Sequence, residues 1–231
     1  MSLFAIGDLH LALGAPEKNM ELFGGRWLGY TDKLRRGFDL VRPEDTCVIC
    51  GDFCWSMDLD AALPDFMFLN SLPGKKIMVK GNHDYWWTTA AKMQAQFDRL
   101  GIRSIEILHN NCRLYGEIAL CGTRGWFFEE ESGGEHDRKI MNREVMRLEA
   151  SLKAAGGREK LCFLHYPPHY GADYVCREIT ELLKAYGVRE CYYGHLHGPG
   201  QKGAVQGWVE GVHYQLTSAD YLGFAPRRIR D

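Results

Sequence analysis

Five short runs of apolar or β-prone residues in this chain each end in a side chain able to bind a metal ion, and that repetition limits the fold more than any other feature. LFAI leads into GDLH (Asp8, His10), CVIC into GD (Asp52), IMVK into GNHD (Asn82, His83, Asp84), LCFL into His165, and CYY into GHLH (His195, His197). A strand that stops at a carboxylate, amide or imidazole, five times over, reads as one polynuclear metal site along one edge of a sheet. In extended backbone, side chains two residues apart share a face, so Asp8 can converge with His10, and His195 with His197. On a helix the same spacing would splay each pair by about 200°.

The segments between these runs predict the remaining architecture. After a strand at 3–6, residues 14–29 are Gly-rich and read as an irregular loop, followed by an amphipathic helix over 27–41 closed by Pro43. A strand at 46–50, a helix over 58–70 with a break near Pro64, and a strand at 76–79 come next. A helix over 88–101 stops at Gly101, IRSIEIL starts another strand, and a hairpin turns at Gly116-Glu117. Helices over 139–155 and 175–186 bracket a strand at 161–164, and residues 204–217 are strand-like before a basic tail (Arg227, Arg228, Arg230). Strands that alternate with helices early and form hairpins late predict an α/β fold, a four-layer α/β/β/α sandwich of two mixed sheets flanked by helices. With no linker, repeat or low-complexity tract, residues 1–231 are expected to form a single domain.

Composition removes several classes of function. Lys plus Arg number 28 against 30 for Asp plus Glu, a net charge of -2, so no general field attracts long nucleic acid or an anionic membrane. No run approaches the roughly 20 apolar residues of a membrane span, and the N-terminus lacks a basic region followed by a cleavage site. A cytoplasmic location is expected. It suits the eight cysteines, six of which (Cys47, Cys50, Cys112, Cys121, Cys162, Cys191) lie in or beside apolar segments as small hydrophobes. Cys47 and Cys50 form a CxxC, but within a strand positions i and i+3 point to opposite faces, so these are core residues rather than a redox pair.

Counted as donors, the motifs offer two aspartates, one asparagine and four histidines, with His83 left over. That is too many for one tetrahedral zinc and suits two ions about 3.5–4 Å apart sharing a carboxylate. Oxygen and nitrogen donors without thiolate favour Mn, Fe, Zn, Co or Ni over calcium.

The set DxH, GD, GNHD, a lone His and GHxH, in this order from Asp8 to His197, resembles the calcineurin-like metallophosphoesterase superfamily. The resemblance implies that Asp8, His10 and His197 hold one metal, that Asn82, His165 and His195 hold the other, and that Asp52 bridges them. It implies a hydroxide shared by the two ions attacking phosphorus in line, with the cations neutralising the non-bridging oxygens. His83 would be the catalytic residue that protonates or stabilises the leaving oxygen. The substrate would be a phosphomonoester or phosphodiester; phosphoprotein, nucleotide, cyclic nucleotide and lipid-linked substrates all remain open. One position departs from the pattern: where many relatives have an acid three residues after the bridging Asp to orient that histidine, this chain has Trp55, which can only donate. Asp84 and Asp58 are the candidates to replace it.

Arg124, set between glycines in GTRGWFF, is a candidate phosphate-binding residue, with pairing to an acid as the alternative. YWW at 85–87 is read as either substrate platform or core, and EEESGGEHD at 129–137 as a solvated loop near the site. His109, His136 and His213 match no motif, and His169 is assigned to loop structure. Two other classes compete with the phosphoesterase reading: a non-catalytic scaffold, which would be expected to lose candidate ligands or His83, and a β-lactamase-like metallohydrolase, whose HxHxDH cluster is absent.

Overall fold

Strand periodicity alone explains why this chain builds two sheets face to face. In the computed structural model, which describes residues 1–126 and 134–231, β1 (Leu3–Ile6) sends Leu3 and Ala5 to one face and Phe4 and Ile6 to the other. β2 (Thr46–Cys50) and β3 (Lys75–Val79) alternate in the same way, with Val48, Cys50, Ile77 and Val79 on the first face. That face meets Leu120, Leu161, Phe163 and Tyr192, which come from β6 (Ile118–Thr123), β7 (Lys160–Leu164) and β10 (Glu190–Tyr193). The two sheets therefore share a dry interior, and each keeps a second apolar face for helices.

The first sheet has the order β13-β1-β2-β3-β4, where β4 is Ile105–Ile107 and β13 is Arg227–Arg230; β1 to β4 are parallel and β13 is antiparallel to β1. Its outer face is covered by α1 (Tyr30–Phe38), α2 (Leu63–Ser71) and α3 (Ala90–Leu100), through Leu34, Phe38, Phe66, Leu69, Met93 and Phe97. The second sheet has the order β11-β12-β10-β7-β6-β5, with β5 at Arg113–Tyr115, β11 at Gly207–Val209 and β12 at Val212–Leu216. Its outer face carries α4 (Glu135–Ala154) and α5 (Arg177–Ala185) through Met141, Leu148, Leu152, Ile179 and Leu183. The result is the expected α/β/β/α sandwich of two mixed sheets. Cys47 and Cys50 fall into different cores, as their spacing in a strand requires.

Several boundaries differ from the sequence expectation, each for a local reason. Residues 14–29 hold three short 3-10 turns (Pro16–Lys18, Met20–Phe23, Gly25–Trp27), the second capped by the Asn19 side chain accepting from the Glu21 amide. α1 starts only at Tyr30 because Gly29 stands in the left-handed region (φ 62°). Pro64 does not break a helix: it sits in the first turn of α2, where its missing N–H costs nothing. Residues 135–137 of the expected acidic loop belong to α4, while 129–133 lie outside the described residues. His169 is buried in the two-residue strand β8 (His169–Tyr170), which pairs with β9 (Tyr174–Val175), and its ring packs edge-on against Tyr214. Among the described residues no helix is long and apolar enough to cross a membrane.

Candidate metal centre

Because β1, β2 and β3 are parallel, their C-terminal ends lie on one edge, and the parallel pair β7 and β10 ends on the facing edge of the other sheet. Backbone hydrogen bonds tie the loops within each edge, and that of Gly7 joins one edge to the other. Asp8 N donates to Gly51 O (2.8 Å), His10 N to Asp52 O (3.0 Å), Gly7 N to Thr217 O (2.7 Å) and Gly194 N to His165 O (3.1 Å). The five motifs thus meet at one place.

The backbone there is strained where the candidate donors sit. Asp8 (φ 58°), His10 (45°), Asp52 (49°) and His195 (73°) all occupy the left-handed region, which costs on the order of 1–3 kcal/mol for a non-glycine residue and clusters at functional sites. Close approach explains two of the motif glycines. A Cβ on Gly81 would stand 2.1 Å from the amide N and Oδ1 of Asp52, and one on Gly194 would stand 2.4 Å from Asp8 Oδ2. Neither could exist without expelling a carboxylate.

Around these carboxylates the ring nitrogens converge. His10 Nε2 lies 3.1 Å from His197 Nε2, and His197 Nε2 lies 3.5 Å from Asp8 Oδ1. Asn82 Oδ1 faces both His165 Nε2 (2.6 Å) and His195 Nδ1 (3.1 Å). Asp52 Oδ2 stands between the halves, 3.7 Å from His10 Nε2 and 3.5 Å from His165 Nε2, while its Oδ1 accepts from the His83 amide (2.8 Å). Two groups, Asp8–His10–His197 and Asp8–Asp52–His165, each bring three donor atoms to within 4.8 Å of one another.

Electrostatics make the cluster short of positive charge. Asp8 and Asp52 are buried, and among the described residues their ion-pair partners are histidines only. Burial, followed by the charges of Asp84 and Asp8, pushes the Asp52 carboxyl well above its usual range. Burial lowers His10 well below the ordinary imidazole value and takes His165 and His195 down to about 3, leaving neutral rings with a lone pair to give. For His197 burial also works downward, but Asp8 and Asp220 outweigh it and raise it to about 10. Buried carboxyl groups, three neutral imidazoles, a fourth imidazole oriented by Asp220 and an amide oxygen aimed at one space are the donor chemistry of divalent transition ions, and the residues fit such ions.

Asp220 was missed by sequence reasoning. Its Oδ1 accepts from His197 Nδ1 (2.9 Å), and its Oδ2 accepts from Gln201 Nε2 (2.8 Å) and Gly198 N (3.3 Å). It follows β12, whose register against β10 pairs Leu216 with Tyr193. Asp220 lies four residues beyond the end of β12, and only the pairing of β12 with β10 brings it to His197.

The support expected for His83 takes another form. Asp84 is spent on the amides of Gly81 (2.6 Å), Phe53 (2.9 Å) and Cys54 (3.4 Å) and on Trp86 Nε1 (3.0 Å), tying the third motif to the second. Asp58 accepts from the amides of Asp60 and Ala61. The His83 ring instead lies against Trp55 (centroids 4.3 Å), which also stacks on His10 (4.8 Å), and its Nδ1 has no hydrogen-bond partner among the described residues. Arg124 pairs with the buried Glu144 (3.2 Å), and its carbonyl accepts from the amides of His165 and Tyr166. Of the YWW aromatics, Trp86 is core, Trp87 packs against it, and Tyr85 is exposed.

A profile of calcineurin-like phosphoesterases matches residues 1–199. The chain belongs to that family. Solved structures of similar fold include a protein of unknown function from Aquifex aeolicus, 17% identical, with a TM-score of 0.50 over 98% of this chain and 95% of that one. Another is the phosphopantetheinyl hydrolase of Mycobacterium tuberculosis, 16% identical, with a TM-score of 0.58 over 99% and 95%. A protein from Thermus thermophilus, 12% identical, gives 0.60 over 99% and 97%. At these identities the likeness speaks for the fold. No curated protein sequence matches this chain. Membership of the calcineurin-like family makes a metal-dependent phosphoesterase the general class.

Proposed function

We propose that this protein is a phosphoesterase with a dinuclear metal centre on a single domain, acting on a phosphomonoester or phosphodiester. Asp8, His10 and His197 would hold one ion, and Asn82, His165 and His195 the second. The position of Asp52 Oδ2 between an imidazole of each half carries the reading, because one carboxylate oxygen so placed can serve two ions. The ions, when bound, supply Lewis-acid chemistry: they acidify water for attack on phosphorus and offset charge on the phosphoryl oxygens.

The chain's own residues set the geometry. Both carboxylate oxygens of Asp8 accept from the His195 amide (2.9 Å each), which ties the first motif to the last. Asp220 holds the proton of His197 on Nδ1, so that Nε2 points its lone pair at the centre. His83 is the candidate for the leaving oxygen. Clamped by its amide on Asp52 and by Trp55, it is lowered from its usual value chiefly by burial. It would then act as a neutral donor that stabilises the oxygen through a hydrogen bond.

The test is turnover of simple phosphomonoesters, phosphodiesters and cyclic nucleotides by protein reconstituted with Mn, Fe, Zn, Co or Ni, with Asp52→Asn and His83→Ala alongside. Turnover abolished by Asp52→Asn is expected. Protein that carries two ions yet turns over no phosphate ester would instead be a non-catalytic member of the family.

A further inference from the structure

Beside the centre lies a cleft of about 470 Å³, within the range of small-molecule sites, about 300–1,000 Å³. It touches the centre through His10, His83 and His197, and not through Asn82, His165 or His195. It therefore opens on the half that carries the residue proposed for the leaving oxygen. Its walls are Met20, Phe23, Trp27, Trp55 and Pro199, together with the bare backbone of Gly24 and Gly25. Both glycines have positive φ (61° and 53°) and open space where a Cβ would stand. Phe23 lines the cleft while remaining 75% exposed, an apolar ring held in water at the mouth of a reaction site.

Few polar groups of the cleft face a ligand: the nitrogens of its lining that lack a partner among the described residues, His10 Nδ1, His83 Nδ1 and Trp55 Nε1, are themselves buried. Asp220 is spent on His197, Gln201 and Gly198, and Lys18 reaches the Trp55 carbonyl (3.3 Å) from outside. Trp27 sets its ring edge-on to His10 (5.9 Å) and His197 (5.7 Å), so the apolar wall begins beside the donors themselves. Arg26 stands at the mouth with long contacts to Gln201 Oε1 (3.3 Å) and Asp220 O (3.5 Å), and makes no ion pair among the described residues. A leaving group carrying charge or several hydroxyls would lose its water here and find few partners. An apolar one would cover Phe23, Met20 and the two indoles.

We propose that this cleft receives the leaving group of the substrate, and that this group is an uncharged apolar stem such as an unbranched alkyl chain. The proposal rests on the phosphoesterase reading and narrows it to phosphate esters of apolar alcohols. Specificity then lies in the 20–27 segment, which no motif of the chain includes. A phosphorylated peptide is disfavoured, because its polar backbone would have to enter the same walls.

Alcohol release from propyl, butyl, pentyl and hexyl phosphate, and from the matching methyl alkyl phosphodiesters, tests it on metal-loaded protein. These alcohols differ little in acidity, so contact with the cleft is what varies. From the value of a buried methylene, kcat/KM should rise about two- to fourfold per carbon, or about 10- to 60-fold from propyl to hexyl. Phe23→Ser should cut the hexyl-to-propyl ratio about threefold or more, whereas Leu22→Ser, exposed on the same turn and outside the cleft, should leave it unchanged. A hexyl chain ended by an ammonium group should lose the gain. A wild-type ratio within twofold of one overturns the proposal, as does a large ratio that Phe23→Ser does not alter. Failure to turn over even p-nitrophenyl phosphate and methyl p-nitrophenyl phosphate would overturn the phosphoesterase reading itself.

Discussion

Replacing Asp220 probes the centre without touching a proposed ligand. One oxygen of this carboxylate takes the His197 Nδ1 proton at 2.9 Å, and the other takes the hydrogen bonds of Gln201 (2.8 Å) and Gly198 (3.3 Å). Asp220→Ala removes the acceptor that fixes the His197 tautomer and ring. Loss of such a partner typically weakens metal affinity about 10- to 100-fold, or about 1.4–2.7 kcal/mol. Asp220→Asn should be no gentler, although it keeps the shape. Its amide nitrogen must face either two N–H donors or His197 Nδ1, and in the second case the ring proton is driven to Nε2, the atom that would coordinate. The assay is calorimetric titration of metal-free protein with Mn or Zn. Both variants should weaken the ion held by His197 by 10- to 100-fold, while the ion assigned to Asn82, His165 and His195 stays within about threefold. Wild-type affinity for both ions in both variants would refute the reasoning.

Protons should compete with metal: His197 is raised to about 10 in the metal-free protein, where Asp8 and Asp220 overcome its burial, so binding must displace its proton. Affinity for the ion held by His197 should rise about tenfold per pH unit between about 7 and 9, with one proton released from His197 as that ion binds, read in buffers of different ionisation enthalpy. Because the folded value exceeds the ordinary one of 6.5, this group's stabilisation of the metal-free protein is complete below about 6.5 and is lost as pH rises through about 10, which melting curves across that range would show. Gly81→Ala, whose Cβ would stand 2.1 Å from Asp52, should destabilise the fold by about 1–3 kcal/mol and bring the metal content below two, read by denaturation and by elemental analysis. Arg124→Met leaves the buried Glu144 with only Arg147 and Thr123 among the described residues, so it should lower stability by about 1–3 kcal/mol and leave KM for a phosphate ester within about twofold. A manyfold rise in KM at unchanged melting temperature would instead assign Arg124 to the substrate phosphate.

Most of the layered fold was legible because strand alternation is local: Leu3 and Ala5 against Phe4 and Ile6 already demand two buried faces. The five strand ends were legible for the same reason, each motif being contiguous with its strand. Partnerships between distant segments were hidden. Asp220 follows His197 by 23 residues and reaches it through the pairing of β10 with β12, which no spacing encodes. Trp55 was visible as a missing acid, but its stacking on both His10 and His83 depends on how the loops after β1, β2 and β3 cross. Pro64 was misplaced because a helix-opening proline and a helix-breaking one look alike until the first turn is located. The 14–29 segment hid its 3-10 turns behind glycines, and with them the apolar wall beside the centre.

The claim that one carboxylate joins two ions is tested most directly by anomalous diffraction from crystals grown with Mn(II). The account predicts two peaks about 3.5–4 Å apart with Asp52 Oδ2 between them, one flanked by Asp8, His10 and His197 and the other by Asn82, His165 and His195. A single peak, or two peaks of which only one contacts Asp52, would contradict it.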